Sequence, residues 1–122
     1  MIYLICGSRA KKDYSHLVND WLNMNHKKGD LIIEGCCKNS ADQYAEDWVR
    51  ENSDGTVEGA IPIKHYPADW NKDGKIAGFK RNIEMVRKCD KVIAFWDGWS
   101  RGTAHAIAQG VLSGKEVEVI EI

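Results

Sequence analysis

"KVIAFWDGWSRGTAHAI", residues 91 to 107, decides the fold. Residues 91–96 are a near-continuous apolar run of strand length, the pattern of a strand covered on both faces. "DGWSRGT", 97–103, breaks that run with turn residues, and helical periodicity then holds from about residue 101 to 112, where Gly114 stops it. A buried strand that leads through a short glycine-bearing loop into a helix is one part of a strand–helix–strand repeat, so parallel neighbours are expected.

The same alternation extends in both directions. "IYLIC" (2–6) reads as a buried strand, followed by a helix near 13–28 whose apolar positions are Leu17, Val18, Trp21, Leu22 and Met24. "LIIE" (31–34) is the second strand, punctuated by Gly29-Asp30. A second helix covers about 40–52, with Ser40 as N-cap and Tyr44, Ala45, Trp48 and Val49 facing inward. "PIKHYP" (62–67) supplies a short third strand between prolines. A loop, "ADWNKDG" (68–74), leads to "AGFKRNIEMV" (77–86), where Ile76, Ile83, Met85 and Val86 make a core stripe and the helix ends near Cys89. "EVEVIEI" (116–122) alternates as an edge strand does. Five strands separated by four helices predict one α/β domain over residues 1–122. Its architecture is expected to be a three-layer Rossmann-like sandwich around a mostly parallel five-stranded sheet of order 3-2-1-4-5.

Composition excludes several classes. With 122 residues, 43% hydrophobic and 29% charged, the chain suits a single globular unit with its own core. No apolar run approaches the roughly 18 residues of a membrane span, and the short apolar start lacks the basic residues and cleavage site of a signal peptide, so a cytoplasmic protein is expected. Net charge is −1, which provides no general field for nucleic acid or membrane; any bound anion must be held locally. Cys6, Cys36, Cys37 and Cys89 form no C-x-x-C pair, and His16, His26, His65 and His105 lack zinc-type spacing. Neither a metal nor a cofactor is expected. Cys36 and Cys37 read as small packing residues in a tight turn.

In a doubly wound sheet, ligands bind beyond the C-terminal ends of the strands where the winding reverses, here between the first and fourth strands. Gly7-Ser8-Arg9 follows one and Asp97-Gly98-Trp99-Ser100-Arg101-Gly102-Thr103 the other. Glycine lets backbone approach a phosphate, helix N-terminal N–H groups point at it, and guanidinium groups bind its oxygens in pairs. The turn Gly35-Cys36-Cys37-Lys38-Asn39-Ser40 flanks the same opening, and Arg81 and Asn82, in the early turns of the fourth-strand helix, lie at the same end of the sheet. Trp21 and Trp48 occupy helical core positions. Trp70, Trp96 and Trp99 fall near the opening, where an indole can stack on a nucleobase.

"GSR", "GCCKNSADQYAEDWV", "YPADWNKDGKIAGFKRNIEMV" and "IAFWDGWSRGTAHAI", in that order, resemble the YspA, or YpsA-related, group of the SLOG superfamily of small Rossmann-like domains. The similarity runs from Met1 to about Val119. It implies a ligand site that includes Asp42, Asp69, Trp70, Arg81, Asn82, Gly102 and Thr103. Ser40 departs from the pattern, since relatives usually carry glycine before Ala41-Asp42.

The resemblance implies binding of a nucleotide or nucleotide-derived ligand, such as a nucleoside phosphate or an ADP-ribose-like molecule, by a sensor or sequestering protein. Arg9, Arg81 and Arg101 are then expected to neutralise phosphates, N–H groups around Gly102 and Thr103 to cradle them, and Asp42 or Asp69 to hold a ribose hydroxyl. The LOG enzymes of the superfamily cleave N-glycosidic bonds with an arginine and a glutamate. "RNIEM" retains Arg81, but Ala106 stands at the glutamate position, which weakens the alternative of a glycosidase or deoxyribosyltransferase-like enzyme. LOG-like relatives are dimers, and the apolar residues of the first two helices would permit a homodimer or higher homo-oligomer.

Overall fold

Alternate residues of strand β1 (Ile2–Gly7) enter two different cores. Tyr3 and Ile5 join Ile32, Ile93 and Phe95 on one face of the sheet, whereas Leu4 and Cys6 join Ile33, Val92 and Ala94 on the other. A strand buried on both sides has no polar face to show, which is why its sequence is a continuous apolar run. The computed structural model describes residues Met1–Ile122.

Strands β2 (Leu31–Glu34), β3 (Ile63–His65), β4 (Lys91–Trp96) and β5 (Glu116–Glu121) complete one sheet of order β3-β2-β1-β4-β5. All four pairings are parallel, so the expected order holds and the sheet is parallel throughout. Helices α1 (Ser15–Asn25) and α2 (Ala41–Asn52) cover the first face through Val18, Trp21, Leu22, Ala45, Trp48 and Val49. Helices α4 (Ala77–Lys88) and α5 (Arg101–Leu112) cover the second through Met85, Val86 and Ala106. The result is the helix–sheet–helix sandwich expected of a Rossmann-like domain. No helix is long and apolar enough to cross a membrane.

Three details differ from the sequence reading. The stretch expected as a loop contains a short helix, α3 (Trp70–Asp73), and a 3-10 turn over Gly74–Ile76. Asp69 starts α3 by accepting from the Lys72 N–H, and Gly74, at φ 60°, ends it. Ile76 precedes α4 instead of lying on its buried stripe and is 52% exposed; the inward positions of α4 are Ala77, Asn82, Met85 and Val86. Met24 is 84% exposed, because its position on α1 faces away from the buried stripe of Val18, Trp21 and Leu22.

Tyr14, just before α1, is buried, and its hydroxyl works in both directions. It donates to the Ser8 carbonyl at 2.6 Å and accepts from the Ala41 N–H at 2.8 Å, tying the loop after β1 to the start of α2. Tyr14→Phe leaves both backbone groups buried without that partner and is expected to cost about 1–3 kcal/mol, read as a lower urea midpoint.

Candidate functional site

Where the winding reverses, the loops after β1 and β4 are stitched together by one serine. Ser8 is buried; its N–H donates to the Phe95 carbonyl at 2.9 Å and its hydroxyl accepts from the Asp97 N–H at 3.1 Å. The Ser8 and Ser100 hydroxyl oxygens lie 2.5 Å apart. Asp97 Oδ1 accepts from the N–H groups of Trp99 and Ser100, both at 2.8 Å, which holds the loop in shape. These bonds keep the Asp97 carboxyl below the usual carboxylate range.

Above this seam is a cavity of about 310 Å³. Gly7, Ser8 and Arg9 line it from β1 and its loop, and Cys37 and Asp42 from the turn into α2. Gly78, Phe79, Arg81, Asn82 and Met85 contribute from α4, with Trp70 and Lys75 from the segment before it. Ser100, Gly102, Thr103 and Ala106 come from the start of α5.

The start of α5 is unusual in its capping. Ser100 occupies the N-cap, yet its hydroxyl turns to Ser8 and makes no cap bond. Ser40 shows the ordinary alternative at α2, where its hydroxyl accepts from the Asp42 N–H. The first-turn N–H groups of α5 are therefore uncapped beside the cavity, at the positive end of the helix dipole.

The cations around the opening lack carboxylate partners. Ion pairs involving lysine or arginine employ Arg50, Lys80 and Lys91, and none involves Arg9, Lys75 or Arg81. Arg81 does have a structural duty. Its guanidinium donates to the Gly35 carbonyl, to the Tyr66 carbonyl at 3.4 Å and, through Nε, to Asn82 Oδ1 at 3.1 Å. Nη2 is left with only a long contact to Cys37 Sγ, 3.9 Å.

Buried Asn82 links the two helices of this layer. Its Nδ2 donates to the Gly102 carbonyl at 3.1 Å and faces His105 Nδ1 at 3.3 Å. Since an amide nitrogen only donates, that histidine nitrogen accepts, and burial lowers the His105 pKa in favour of the neutral ring. Phe79 stacks on His105 with centroids 4.4 Å apart. Trp70 packs over Gly78, where an added Cβ would lie 3.4 Å from its ring, so an indole and a phenyl ring border one side of the cavity.

Ten of the residues expected from the sequence therefore meet at one opening: Gly7, Ser8, Arg9, Asp42, Trp70, Arg81, Asn82, Ser100, Gly102 and Thr103. Five others do not line it. Gly35 is needed for the approach of Arg81, whose Nη1 would lie 2.5 Å from an added Cβ. Asp69 is exposed and spends its carboxylate on the start of α3. Arg101 is exposed, and Trp99 is 88% exposed. The Trp96 indole donates to the Ser100 carbonyl at 3.1 Å. Trp70 is thus the one expected stacking residue at the cavity, joined by Phe79. Asp42, offered as a ribose ligand, clamps the turn instead: Oδ2 accepts from the N–H groups of Gly35 at 3.1 Å and Cys37 at 3.2 Å.

Sequence reasoning passed over Lys75, Gly78 and Phe79. Gly78, Asn82 and Met85 recur at helical spacing of four and three, a signal that marks one face of α4 as shared between core and cavity. Cys36, expected to pack within the turn, is exposed.

An all-parallel Rossmann-like domain with a crevice at its winding reversal is the class that the fold defines. The Gene 61 protein of Mycobacterium phage D29 is 34% identical over 118 residues, covering 91% of this chain and 89% of that protein. The chain belongs to the same family as that phage protein. No protein-family model matches the chain, and no solved structure matches it.

Burial raises the Asp42 pKa to about 6, opposed by its backbone hydrogen bonds and by Arg81. The folded value lies above the ordinary carboxylate value of 3.8, so between about pH 4 and 6 the native state retains a proton that the unfolded chain has released. Stability from this group is full below that window, declines as pH rises through it and is level above. Carbon-detected NMR of the Asp42 carboxyl should give a midpoint near 6, and Asp42→Asn should flatten that part of the stability–pH curve.

Proposed function

We propose that the protein binds a phosphate-bearing nucleotide or nucleotide-derived ligand in the cavity at the β1–β4 reversal, as a sensor or sequestering protein. The observation that carries this reading is the uncapped start of α5, placed beside Arg9, Lys75 and Arg81, none of which has a carboxylate partner. An anion at this point would accept from backbone N–H groups and be neutralised by side chains already there. Trp70 and Phe79 supply aromatic surface for a base. At about 310 Å³, the cavity lies at the low end of small-molecule sites, roughly 300–1,000 Å³, which suits a mononucleotide or one half of ADP-ribose. The resemblance to YspA-type SLOG domains supports the same class of ligand.

Binding is favoured over glycosidic cleavage by the acids present. Asp42 is the only carboxylate that lines the cavity, and it is committed to two backbone N–H groups. Ala106 stands where the LOG pattern would put glutamate. An oxocarbenium-like transition state would find no free carboxylate to stabilise it.

Titration calorimetry with AMP, ADP-ribose and inorganic phosphate tests the reading, with Gly102→Ala and Arg9→Ala as variants. A Cβ on Gly102 meets nothing within 4 Å, so the alanine is tolerated by the fold and should add about 0.5–1 kcal/mol of helix stability. Its methyl group would nevertheless obstruct close approach to the helix start. Each variant should weaken nucleotide binding by roughly 10–100-fold, the scale of one charge-assisted hydrogen bond. Absence of saturable binding by all three compounds, or undiminished binding in both variants, would overturn it. Incubation with nucleoside monophosphates should release no free base; release abolished by Arg81→Ala would instead establish the enzyme.

A further inference from the structure

We propose that Glu34, Cys36 and His65 form a site for a borderline divalent metal ion, zinc being the best match, separate from the cavity. Their ligand atoms, a carboxylate oxygen, Sγ and an imidazole nitrogen, all lie within 4.8 Å of one another. None of the three residues lines the cavity.

Backbone geometry brings them together. In the parallel pairing of β2 and β3, Glu34 is the register partner of His65, so two residues 31 apart in sequence stand side by side at the C-terminal edge of the sheet. His65 Nδ1 is in contact with Glu34 Oε1. Cys36 then doubles back: its φ of 64° is a left-handed conformation that residues with a β-carbon adopt only when their surroundings hold them there. Its Sγ comes to 3.8 Å from the same Oε1.

The condition of Glu34 is a second, independent indication of a cation. Its side chain is fully buried, and no lysine or arginine pairs with it; among ion-pair partners it has only His65. A buried carboxylate is costly without a nearby positive charge. The Cys36 N–H donates to Oε2 at 2.7 Å, which fixes the carboxylate and leaves Oε1 facing the thiol and imidazole. Such an outer hydrogen bond is the usual means of orienting a metal ligand.

The donor set selects the ion. Calcium and magnesium favour all-oxygen surroundings, whereas one thiolate, one imidazole and one carboxylate suit zinc. Cys36 and His65 are both exposed, so an ion can enter from solvent and keep water in a fourth position. Binding exchanges the Cys36 Sγ–H proton for a sulfur–metal bond, with that proton released to solvent, and the hydrogen held between His65 Nδ1 and Glu34 Oε1 leaves to solvent or to Nε2, which frees the Nδ1 lone pair and Oε1 for the ion; no electron transfer is involved.

The test uses the full chain, stripped with chelator and titrated with Zn²⁺ against a chromogenic competitor. Saturation at one ion per chain is expected. Changes to outer-sphere partners typically cost about 10–100-fold in affinity, so Cys36→Ser and His65→Gln, which remove direct ligands at exposed positions, should each cost about 100-fold or more. Cys37→Ser is the control: that thiol lines the cavity near Arg81, and its loss should leave zinc affinity unchanged. Co²⁺ should give a thiolate-to-metal absorption band in the wild type and in Cys37→Ser but not in Cys36→Ser, with circular dichroism establishing that each variant is folded. No saturable zinc binding, wild-type affinity in Cys36→Ser, or loss of binding in Cys37→Ser would each overturn the assignment.

Discussion

The structure depends on how Ser8 is held. Its N–H, carbonyl and hydroxyl are all engaged, with Phe95, Tyr14, Asp97 and Ser100 as partners. A doubly wound sheet diverges where its winding reverses, because the chain leaves β1 toward one face and β4 toward the other. The two departing loops have no ladder between them, and Ser8 replaces it. The same hydroxyl contact draws Ser100 away from capping α5. The bond that closes the fold thus leaves the helix start open, and stability and binding potential at this point have one origin.

The electrostatics follow from that arrangement. An uncapped helix start is already positive, and Arg9 and Lys75 stand at the rim without carboxylates to neutralise them. Arg81 lies deeper. Three of its contacts go to backbone carbonyls and to Asn82, which fixes the turn after β2, the end of β3 and α4 relative to each other. A guanidinium hydrogen-bonded to neutral groups keeps its full charge, so Arg81 can be a structural tie and a source of positive potential together. Asp42 offsets part of that field, but burial raises its pKa and lets it accept a proton near pH 6.

The sheet order and the convergence of Ser8, Arg81 and Thr103 were legible because both follow from chain direction and strand sequence alone. What escaped depends on rotation about an axis or on contacts between strands. Arg101 is next to Gly102 and Thr103, but successive helical residues are about 100° apart, so facing Thr103 and Ala106 toward the cavity leaves Arg101 exposed. Asp69 was expected at the site through the family resemblance alone, and a short acidic side chain serves a helix cap as readily as a ligand. The approach of Glu34 to His65 depends on parallel register, and no spacing rule along one chain contains it.

Three glycines at the crevice show why residue type alone could not assign their roles. An added Cβ on Gly7 would come within 2.7 Å of both Ala41 Cβ and the Tyr14 hydroxyl, so this glycine exists for packing between β1 and α2. Gly35 makes room for Arg81 to reach its carbonyl. Gly102 answers to neither need: nothing lies within 4 Å of the place a side chain would occupy, and its φ is not among the positive values. In the first turn of a helix, glycine also carries a conformational cost that alanine would relieve. Neither packing nor backbone conformation requires a glycine at 102. On the proposed reading, its bare backbone lets an anion come close to those N–H groups, beside the unpartnered cations of the cavity.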